Sequence, residues 1–577
     1  MTKKLAFILF IFLGITVTAQ IPTENVSEDI GVFPNEKVEL SINSNVVLAG
    51  ELLQYKAFSL NVSNTKSDLS KVLYVSMRND ADSIVFNHKL KIKNGTASGD
   101  FFIPSTLKTG IYRLIGYTNF SRNNTQDAFT LKNIYVVNTF LKNESVSKNR
   151  KDSVVIKSKE ILSLKQNQSV QLDKIAIATD KKTYGLREKV TLNLKSTLDT
   201  NDGNFVLSVR KINPISISDY NLKSNNNTHS GLFFIPELRG ELLSGVVIAK
   251  ENNLPVANKV VSLTIPGKDY VFKMAKTNAN GQFFFSISEN YDVEKSIVQL
   301  NGTKSELDAF SVQIDDKNLK IGEDKAAFLK LNSDIKEWLN ERSVQLQIEN
   351  AYFDTKKDSI LPNTVTPPFY KDLGTLFLLD DYTRFPSVKE TFVEIVALAA
   401  IRGSGADAKF IVNNEYDPNN IAKFYNIDPL VLMDGMQIQD NEELINYNAR
   451  DINSVRVVSE PYRYGPKLYS GIIAVETKSG DFKPRLTKNY VEELNLAPAV
   501  KEKSYFSPDY SQMSTLSRIP DYRVQLLWHP DIQFENNQFS KSFYTSDVAG
   551  DFEITLEGFS SNGTFISSRT YFSVSEN

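Results

Sequence analysis

Residues 38–57 read VELSINSNVVLAGELLQYKA, and this stretch decides the fold class. Apolar and polar residues alternate on both sides of the turn at 49–51, which is the pattern of half-buried β-strands. The alternating apolar residues are Val38, Leu40 and Ile42 before the turn and Leu53, Tyr55 and Ala57 after it. The stretch therefore predicts two neighbouring strands with one face in a core.

The same kind of pattern recurs along most of the chain. Further short strands are predicted at Val72–Met77, at Leu90–Ile92 and in the run that begins at Gly110. Strands about ten residues apart with turns between them are typical of a β-sandwich of about 100 residues. Similar strand signals begin at residue 180, near residue 245 and in the last 60 residues. The sequence therefore predicts a mainly β protein built of tandem β-sandwiches.

Helical signals are confined to the region after residue 325. Asp334 and Glu337 have the spacing of a capping box, and Ile335, Trp338, Leu339 and Leu346 would share one helical face. A second helix is predicted over Ser387–Ala400. Strands are predicted after it at Leu430–Met433, Ile452–Val458 and Ile472–Thr477, with a short helix over Asn441–Tyr447 between the first two. These elements predict one small α/β domain among the sandwiches.

Composition excludes several classes of function. The 577 residues include 66 basic and 68 acidic side chains, which give a formal net charge of −2. A nucleic-acid binder normally needs a cationic surface, and the totals predict none. The chain has no cysteine, which excludes disulfides, thiolate nucleophiles, cysteine-ligated metals and an internal thioester. No cofactor is predicted.

The beginning of the chain has the pattern of a secretory signal peptide. Lys3 and Lys4 precede an apolar run over Leu5–Val17, and small residues follow up to Ala19. A lipoprotein would need a cysteine at the cleavage site. We therefore expect residues 1–19 to be a signal peptide and the mature protein to be exported, periplasmic or peripherally associated with the outer membrane, without a membrane span or a lipid anchor.

No catalytic or metal-binding motif is present. The three histidines, His88, His229 and His529, lie far apart and outside any metal-ligand spacing, so independent surface or edge positions are expected. Gly403-Ser404-Gly405 is too short for a nucleophile elbow and follows a predicted helix, which indicates a C-cap loop. Asp380 and Asp381 could be imagined as the carboxylate pair of a glycoside hydrolase. Among 68 acidic residues, however, adjacent pairs are expected by chance. The protein is predicted not to be an enzyme, with no catalytic, cofactor-binding or metal residues.

One cluster has the composition of a binding surface. Tyr462, Arg463 and Tyr464 lie close to further tyrosine, arginine and lysine residues, a combination favoured at protein interfaces. The alternative interpretation is strand-edge packing within a small domain. These three residues are the candidate partner contacts.

Three stretches resemble known β-sandwich families. The first unit resembles a macroglobulin MG2-type domain of the α2-macroglobulin family in Leu48–Glu51, Gly99–Pro104, Thr109–Leu114 and Tyr117–Asn119. Asp180–Val190 is similar to a second macroglobulin entry strand, with Arg187 where glycine is usual. Gly245–Val247, Pro255–Ala257 and Thr277–Phe283 resemble carboxypeptidase-regulatory-like sandwiches, which hold no catalytic residues.

A fourth stretch resembles the plug domain of TonB-dependent receptors. The matching pieces are Pro429–Gly435, Ile452–Val458, Tyr464-Gly465 and Gly471–Gly480. Only 97 residues follow Gly480, too few for the barrel of a transporter. Together the pieces resemble Bacteroidetes-type exported envelope proteins that combine MG2-like, regulatory-like and plug-like domains without a barrel.

The resemblance implies a fold class, a division into domains and a function. The fold class is mainly β, with tandem Ig/macroglobulin-like β-sandwiches and one small α/β plug-like domain. The implied function is a non-enzymatic binding or scaffold protein that docks on an outer-membrane β-barrel or envelope complex. The alternative is a macroglobulin-like endopeptidase inhibitor acting without a thioester. The predicted divisions are 1–19 signal peptide, 20–140 MG2-like sandwich, 141–172 linker, 173–236 second macroglobulin-like unit, 237–318 regulatory-like sandwich, 319–405 mixed region, 406–482 plug-like domain and 483–577 C-terminal macroglobulin-like sandwich.

Overall fold

The structure of the protein is a computed structural model that describes most of the chain after residue 34. The residues described are 35–124, 128–142, 153–161, 175–197, 203–218, 233–267, 270–319, 321, 327–364, 366–413, 427–480, 482, 490–511 and 515–576. The predicted signal peptide and His229 lie outside them.

Strands hold 48% of the described residues and helices 12%, so the predicted mainly β fold class is confirmed. The strands are β1 Glu36–Ile42, β2 Val46–Leu48, β3 Leu52–Asn61, β4 Val72–Arg78, β5 Ile84–Lys91, β6 Thr96–Phe102, β7 Gly110–Tyr117, β8 Thr130–Val137, β9 Ser153–Ser158, β10 Ile175–Thr179, β11 Thr183–Tyr184, β12 Lys189–Ser196, β13 Asn204–Lys211, β14 Ile215–Ile217, β15 Glu241–Ala249, β16 Val260–Ile265, β17 Val271–Lys276, β18 Gln282–Ile287, β19 Lys295–Asn301, β20 Phe310–Ile314, β21 Phe328–Leu331, β22 Ser359–Ile360, β23 Thr375–Leu378, β24 Ala399–Arg402, β25 Lys409–Val412, β26 Leu430–Met433, β27 Met436–Gln437, β28 Ile452–Val458, β29 Tyr462–Tyr464, β30 Lys467–Tyr469, β31 Ile472–Thr477, β32 Val491–Asn495, β33 Lys503–Ser504, β34 Gln525–Ile532, β35 Gln538–Tyr544, β36 Gly550–Phe559 and β37 Phe565–Val574. The α-helices are α1 Lys304–Ala309, α2 Lys336–Ala351, α3 Val388–Glu394 and α4 Asn441–Ile445.

The first sandwich consists of β1 to β8. One sheet has the order β1-β3-β6 and the other β2-β8-β7-β4-β5. The alternation that predicts the fold class is confirmed, because Val38, Leu40, Leu53 and Tyr55 are buried between these sheets. Strand β3 is buried on both faces, since its other face packs on the second sandwich.

The second sandwich is built from two distant parts of the chain. One sheet has the order β10-β12-β35 and the other β11-β37-β36-β13-β34. Val190 and Leu194 from the first part share a core with Phe552 and Phe572 from the second. The structure therefore differs from the predicted division, which gives residues 173–236 and 483–577 a sandwich each. The physical reason is that each part alone would leave the apolar face of its strands exposed.

The third sandwich falls mainly in the unit predicted over residues 237–318. Its sheets have the orders β18-β15-β20 and β17-β16-β19-β32. Strand β32, from the segment predicted to belong to the C-terminal sandwich, completes the second sheet by antiparallel pairing with β19. The chain then pairs β33 with β22 before it enters the second sandwich.

A small connector joins these units. Strands β14, β9 and β21 form one sheet, and α2 packs beside it. Ile335 and Leu346 are buried there with Trp338 and Leu339 packed against them, which confirms the predicted apolar face of this helix. The predicted linker 141–172 therefore contributes β9 to a sheet.

The α/β domain contains β23 to β31 with α3 and α4. Its main sheet has the order β23-β28-β31-β26-β27, and the strands at 430–433, 452–458 and 472–477 match the predicted ones. Since β23 and α3 share its core, the domain begins well before residue 406.

Helix α3 confirms only the first half of the helix predicted over Ser387–Ala400. Ser387 caps it through a capping box with Glu390, but the helix ends at Glu394. Ala399 instead begins β24, which pairs with β25 around a turn in which Gly403 has φ +84°. Gly403-Ser404-Gly405 is thus a strand-to-strand turn and not the predicted helix C-cap, because pairing with residues 409–412 overrides the local helical pattern.

Candidate binding surface of the α/β domain

Two of the stretches quoted in the sequence analysis, Pro429–Gly435 and Gly471–Gly480, meet at the buried carboxylate of Asp434. Asp434 is buried at a tight turn with φ +47°, followed by Gly435 with φ +80°. Its carboxylate accepts hydrogen bonds from the Thr477 amide at 2.7 Å and hydroxyl at 2.5 Å and from the Phe482 amide at 3.0 Å. A side chain on Gly435 would collide with the ring of Tyr270. The turn therefore fixes β26 to the end of β31 and lies against the third sandwich.

The predicted contact residues lie on a hairpin, β29 paired with β30. Tyr462 and Tyr464 are half-buried and Arg463 is exposed. Phe369 stacks on both tyrosine rings, with centroid distances of 4.2 Å to Tyr464 and 5.6 Å to Tyr462. The Tyr464 hydroxyl donates a 2.6 Å hydrogen bond to the carbonyl of Phe272. The two tyrosines thus pack within the chain, and Arg463 alone of the three is left to solvent.

Other aromatic residues extend this contact into the third sandwich. Tyr370 is buried and its hydroxyl accepts a hydrogen bond from Tyr270. Burial raises the pKa of Tyr370 to about 12, so the hydroxyl stays protonated at neutral pH. Tyr469 is also buried, with its hydroxyl 3.2 Å from the sulfur of Met274. The aromatic cluster is therefore an interface between the α/β domain and the third sandwich.

Polar side chains join the same two units. The Ser262 hydroxyl donates to the Gln437 side chain at 2.8 Å, and the Gln299 amide donates to the Gln437 carbonyl at 3.1 Å. All three residues are buried. Buried polar groups paired in this way fix one orientation, because any other would leave them unsatisfied.

Strand β23 has exposed apolar side chains of the α/β domain. This strand is at one edge of the five-stranded sheet, and no other strand of the described chain pairs with its outer edge. Phe377 is buried in the core, whereas Leu376 and Leu378 are 42% and 44% exposed. Leu373, two residues before the strand, is exposed as well. We call β23 with the exposed side chains of Leu373, Leu376 and Leu378 the edge surface.

Charged groups follow this strand directly. Asp380 and Asp381 form a short turn after β23, and the Arg384 guanidinium donates to the Asp380 carboxylate and, at 2.5 Å, to the Ile452 carbonyl. The hydrogen bond from Arg384 holds the pKa of Asp380 below its usual value. The adjacent acidic residues therefore anchor the end of the edge strand.

A cleft of about 570 Å³ lies between the three sandwiches. Its lining charges are satisfied internally: Lys93 pairs with Glu502 at 2.6 Å, and Lys56 donates to the Pro530 carbonyl at 2.5 Å. Burial lowers the pKa of Lys56 to about 8. These contacts hold the sandwiches together.

Two acidic side chains, Glu237 and Glu241, are buried between the first and third sandwiches. Burial raises the pKa of Glu237, whose carboxylate accepts from the Tyr74 hydroxyl at 3.0 Å. Glu241 is held by Lys89 at 2.6 Å and by the Tyr291 hydroxyl at 2.6 Å. The pair is thus part of the joint between two domains.

The two described histidines remain apart. His88 lies on β5 with its Nδ1 atom 2.7 Å from the Tyr55 hydroxyl, and His529 lies on β34. Burial lowers the pKa of each to about 4. Within the described ranges, no group of three or more potential ligands is placed to hold a metal ion, and no helix is long and apolar enough to cross a membrane.

Comparisons with known proteins give only distant structural matches. No family model and no curated protein matches the sequence. Among solved structures, α2-macroglobulin of Escherichia coli activated by porcine elastase is 8% identical with a TM-score of 0.24, covering 94% of this chain and 44% of that chain. Salmonella α2-macroglobulin reacted with methylamine is 7% identical with a TM-score of 0.24, covering 94% and 40%. The Yersinia pseudotuberculosis adhesin InvE is 12% identical with a TM-score of 0.13, covering 48% and 57%.

The chain spans less than half the length of these two macroglobulin chains. Likenesses of this strength carry no conclusion about function. The described fold defines a mainly β protein of three β-sandwiches with one small α/β domain.

Proposed function

We propose that the protein is a non-enzymatic, exported scaffold of the bacterial outer-membrane envelope, whose α/β domain docks on an outer-membrane β-barrel protein. Export rests on the predicted signal peptide, and the docking role rests on the plug-like sequence motifs. The single observation that supports docking most strongly is the edge surface, with Leu376 and Leu378 exposed beside an unpaired strand edge.

The sandwiches supply a rigid frame for this domain. Lys56 of the first sandwich donates to the Phe205 and Pro530 carbonyls of the second at 3.2 and 2.5 Å. Lys89 of the first sandwich pairs with Glu241 of the third at 2.6 Å. Buried charged contacts of this kind lose their compensation when domains separate. The edge surface is therefore carried at a fixed position.

The proposed occupant of the edge surface is an extended segment of a barrel protein. An open strand edge offers unpaired backbone groups that an incoming strand can satisfy. Leu376 and Leu378 would give that strand an apolar contact on one face. The cluster of Tyr462 and Tyr464 serves the joint within the chain, so Arg463 is the predicted contact residue that remains available.

Cross-linking with affinity capture tests this proposal. The tagged full-length protein should recover an integral outer-membrane β-barrel protein from envelope extracts. The double variant Leu376→Glu, Leu378→Glu should lose that protein, because two charges would have to be buried in the contact. Leu254→Glu is the matched control, since Leu254 is 60% exposed on the third sandwich. Equal recovery by both variants, or recovery of no barrel protein, would reject docking at this surface.

The endopeptidase-inhibitor alternative rests on the sequence resemblance alone. It predicts specific cleavage and compaction when the protein meets a protease, whereas a scaffold is only degraded.

A further inference from the structure

A cleft of about 170 Å³, which we call the basic cleft, lies between the first and third sandwiches. The first sandwich lines it with residues of the β4–β5 pair, and the third lines it with the turn before β15 and the end of β18. It adjoins the cleft of about 570 Å³, with which it shares the lining residues Lys91, Lys93, Glu289, Tyr291 and Ala499.

Main-chain contacts bring cations from two sandwiches to the basic cleft. Lys71 immediately precedes β4 and lies beside the end of β5, because the Ile92 amide donates to its carbonyl at 3.0 Å. The Lys71 amide in turn donates to the Glu237 carbonyl at 2.9 Å. Arg239 follows Glu237 by two residues and therefore reaches the same cleft, which it lines.

The third cation, Lys91, reaches across to the third sandwich. Its Nζ atom donates to the Ser288 carbonyl at 3.0 Å. Gly240, with φ +140°, packs so closely on the end of β18 that a side chain there would collide with the Ile287 carbonyl. This close packing places the turn that carries Arg239 next to the end of β18, where Lys91 is bound.

These three cations have no carboxylate partner among the described residues. Lys71 and Lys91 donate to main-chain carbonyls, of Asp68 at 3.2 Å and of Ser288 at 3.0 Å. The Arg239 guanidinium makes neither an ion pair nor a hydrogen bond within the described part of the chain. Lys71 and Arg239 are exposed and Lys91 is half-buried, so their charged ends are open to a ligand in the cleft.

The carboxylates around the basic cleft already have cationic partners. The ion pairs are Glu241 with Lys89 at 2.6 Å, Glu289 with Lys273 at 2.5 Å and Glu502 with Lys93 at 2.6 Å. Glu237, behind the cleft, faces Lys317 at 3.7 Å. Even when Asp68, three residues before Lys71, is counted against the three cations, an excess of two positive charges remains.

The chemistry of these groups selects an anion. Burial lowers the pKa of Lys91, and the positive charges of Lys89 and Lys93 lower it further. An anion in the cleft would offset that repulsion. A phosphate monoester carries about two negative charges at pH 7 and is bound by lysine and arginine side chains. The basic cleft therefore matches a phosphate monoester in charge.

The adjoining cleft of about 570 Å³ is polar without an excess of charge. Its lysines pair as described above, and its wall is rich in carboxamides: Asn94, Asn204, Asn290, Asn363 and Gln533. A carboxamide both donates and accepts hydrogen bonds, as a sugar hydroxyl does. Clefts of this volume hold small-molecule ligands in other proteins. The larger cleft therefore suits the polyhydroxylated body of a sugar.

We propose that the two adjoining clefts bind a sugar phosphate. Its phosphate monoester lies against Lys71, Lys91 and Arg239, and its hydroxyl groups lie against the carboxamides of the larger cleft. Two sources have this chemistry: a free sugar phosphate and the phosphorylated sugar headgroup of a glycolipid. The inference is independent of docking at the edge surface.

Isothermal titration calorimetry of the full-length protein tests the proposal. We expect saturable binding of glucose 6-phosphate, at least about tenfold tighter than that of glucose or of inorganic phosphate. Phosphatidylcholine vesicles that contain lipid A, a phosphorylated glycolipid, distinguish the sources. Displacement of glucose 6-phosphate by these vesicles, and not by phosphatidylcholine alone, indicates a glycolipid headgroup, whereas no displacement indicates the free sugar phosphate.

Matched variants locate the phosphate. Arg239→Gln should weaken binding of glucose 6-phosphate by about tenfold, while Arg402→Gln, on β24, should not. Both arginines are exposed and neither has an ion-pair partner among the described residues, so the two variants change the net charge equally and disturb no buried contact. Equal effects of the two variants, binding of glucose or inorganic phosphate as tight as that of glucose 6-phosphate, or no saturable heat with any probe would overturn the proposal.

Discussion

The hydroxyl of Tyr464 donates a 2.6 Å hydrogen bond to the main-chain carbonyl of Phe272, across the joint between the α/β domain and the third sandwich. Tyr464, a candidate contact for an external partner, therefore holds two domains of the same chain together. The edge surface, by contrast, has apolar side chains of the α/β domain that face solvent.

Replacement of Tyr464 tests this joint. Tyr464→Phe keeps the ring stack on Phe369 but removes the hydrogen bond, so we expect a loss of about 1 kcal/mol in the free energy of unfolding. Arg463→Ala, on the same hairpin with an exposed side chain, should have little effect. Urea denaturation of both variants checks the expectation. Equal stability of the two would mean that the Tyr464 contact does not hold the joint.

Glu51 is predicted to be essential for the stability of the connector. Burial would raise the pKa of Glu51, but Arg342 and Arg210 outweigh burial and lower it, so the group is ionised at neutral pH. Glu51→Gln would leave two buried guanidinium groups without a counter-charge and should cost about 3–5 kcal/mol. Asp354→Asn, in an exposed pair with Lys357, is the control. Similar melting temperatures for the two variants would contradict this account.

The buried carboxyl of Glu237 predicts a loss of stability as the pH rises. Burial raises its pKa above the ordinary value of 4.5, so the folded state holds the proton more tightly than the unfolded state does. The resulting stabilisation is complete below pH 4.5 and is lost as the pH rises through the raised pKa. Glu237→Gln should flatten that decline. Denaturation curves from pH 4.5 upwards check it, and an unchanged slope would show that Glu237 is ionised in the folded protein.

His529 predicts the opposite trend in a neighbouring pH range. Burial lowers its pKa from 6.5 to about 4, so the unfolded state takes up a proton first. The stability that this provides is present above pH 6.5 and is lost as the pH falls towards 4. For a partly exposed group it is on the order of 1–2 kcal/mol. His529→Gln should reduce the loss between these pH values, and identical acid profiles would contradict the assignment.

Local strand patterns are predictable from the sequence, but strand partners are not. The alternation of Val190, Leu192 and Leu194 predicts β12 and its buried face. Nothing in that pattern predicts that β12 pairs with β35, whose Phe543 lies opposite Val190 in the register. Pairing across about 350 residues depends on which apolar faces the other parts of the chain leave for each other to cover. For this reason one sandwich appears as two units in the sequence.

Contacts at the candidate site are likewise set by distant parts of the chain, which the local sequence does not predict. Composition around Tyr462 and Tyr464 predicts an interface but cannot tell an internal one from an external one, because Phe369 and Phe272 come from elsewhere in the chain. The signal for the edge surface is the apolar run over Leu376–Leu379. Phe377 and Leu379 enter the core. Leu376 and Leu378 face away from it, since successive strand residues point to opposite sides.

Site-specific photo-cross-linking in living cells tests the central claim most directly. A photoreactive residue at Leu378, on the edge surface, should form a cross-link to an integral outer-membrane β-barrel protein. The same residue at Leu254, on the third sandwich, should not. The proposed docking predicts a barrel adduct at position 378 that disappears when Leu376 is changed to Glu. A barrel adduct at position 254 alone, or none at either position, would contradict it.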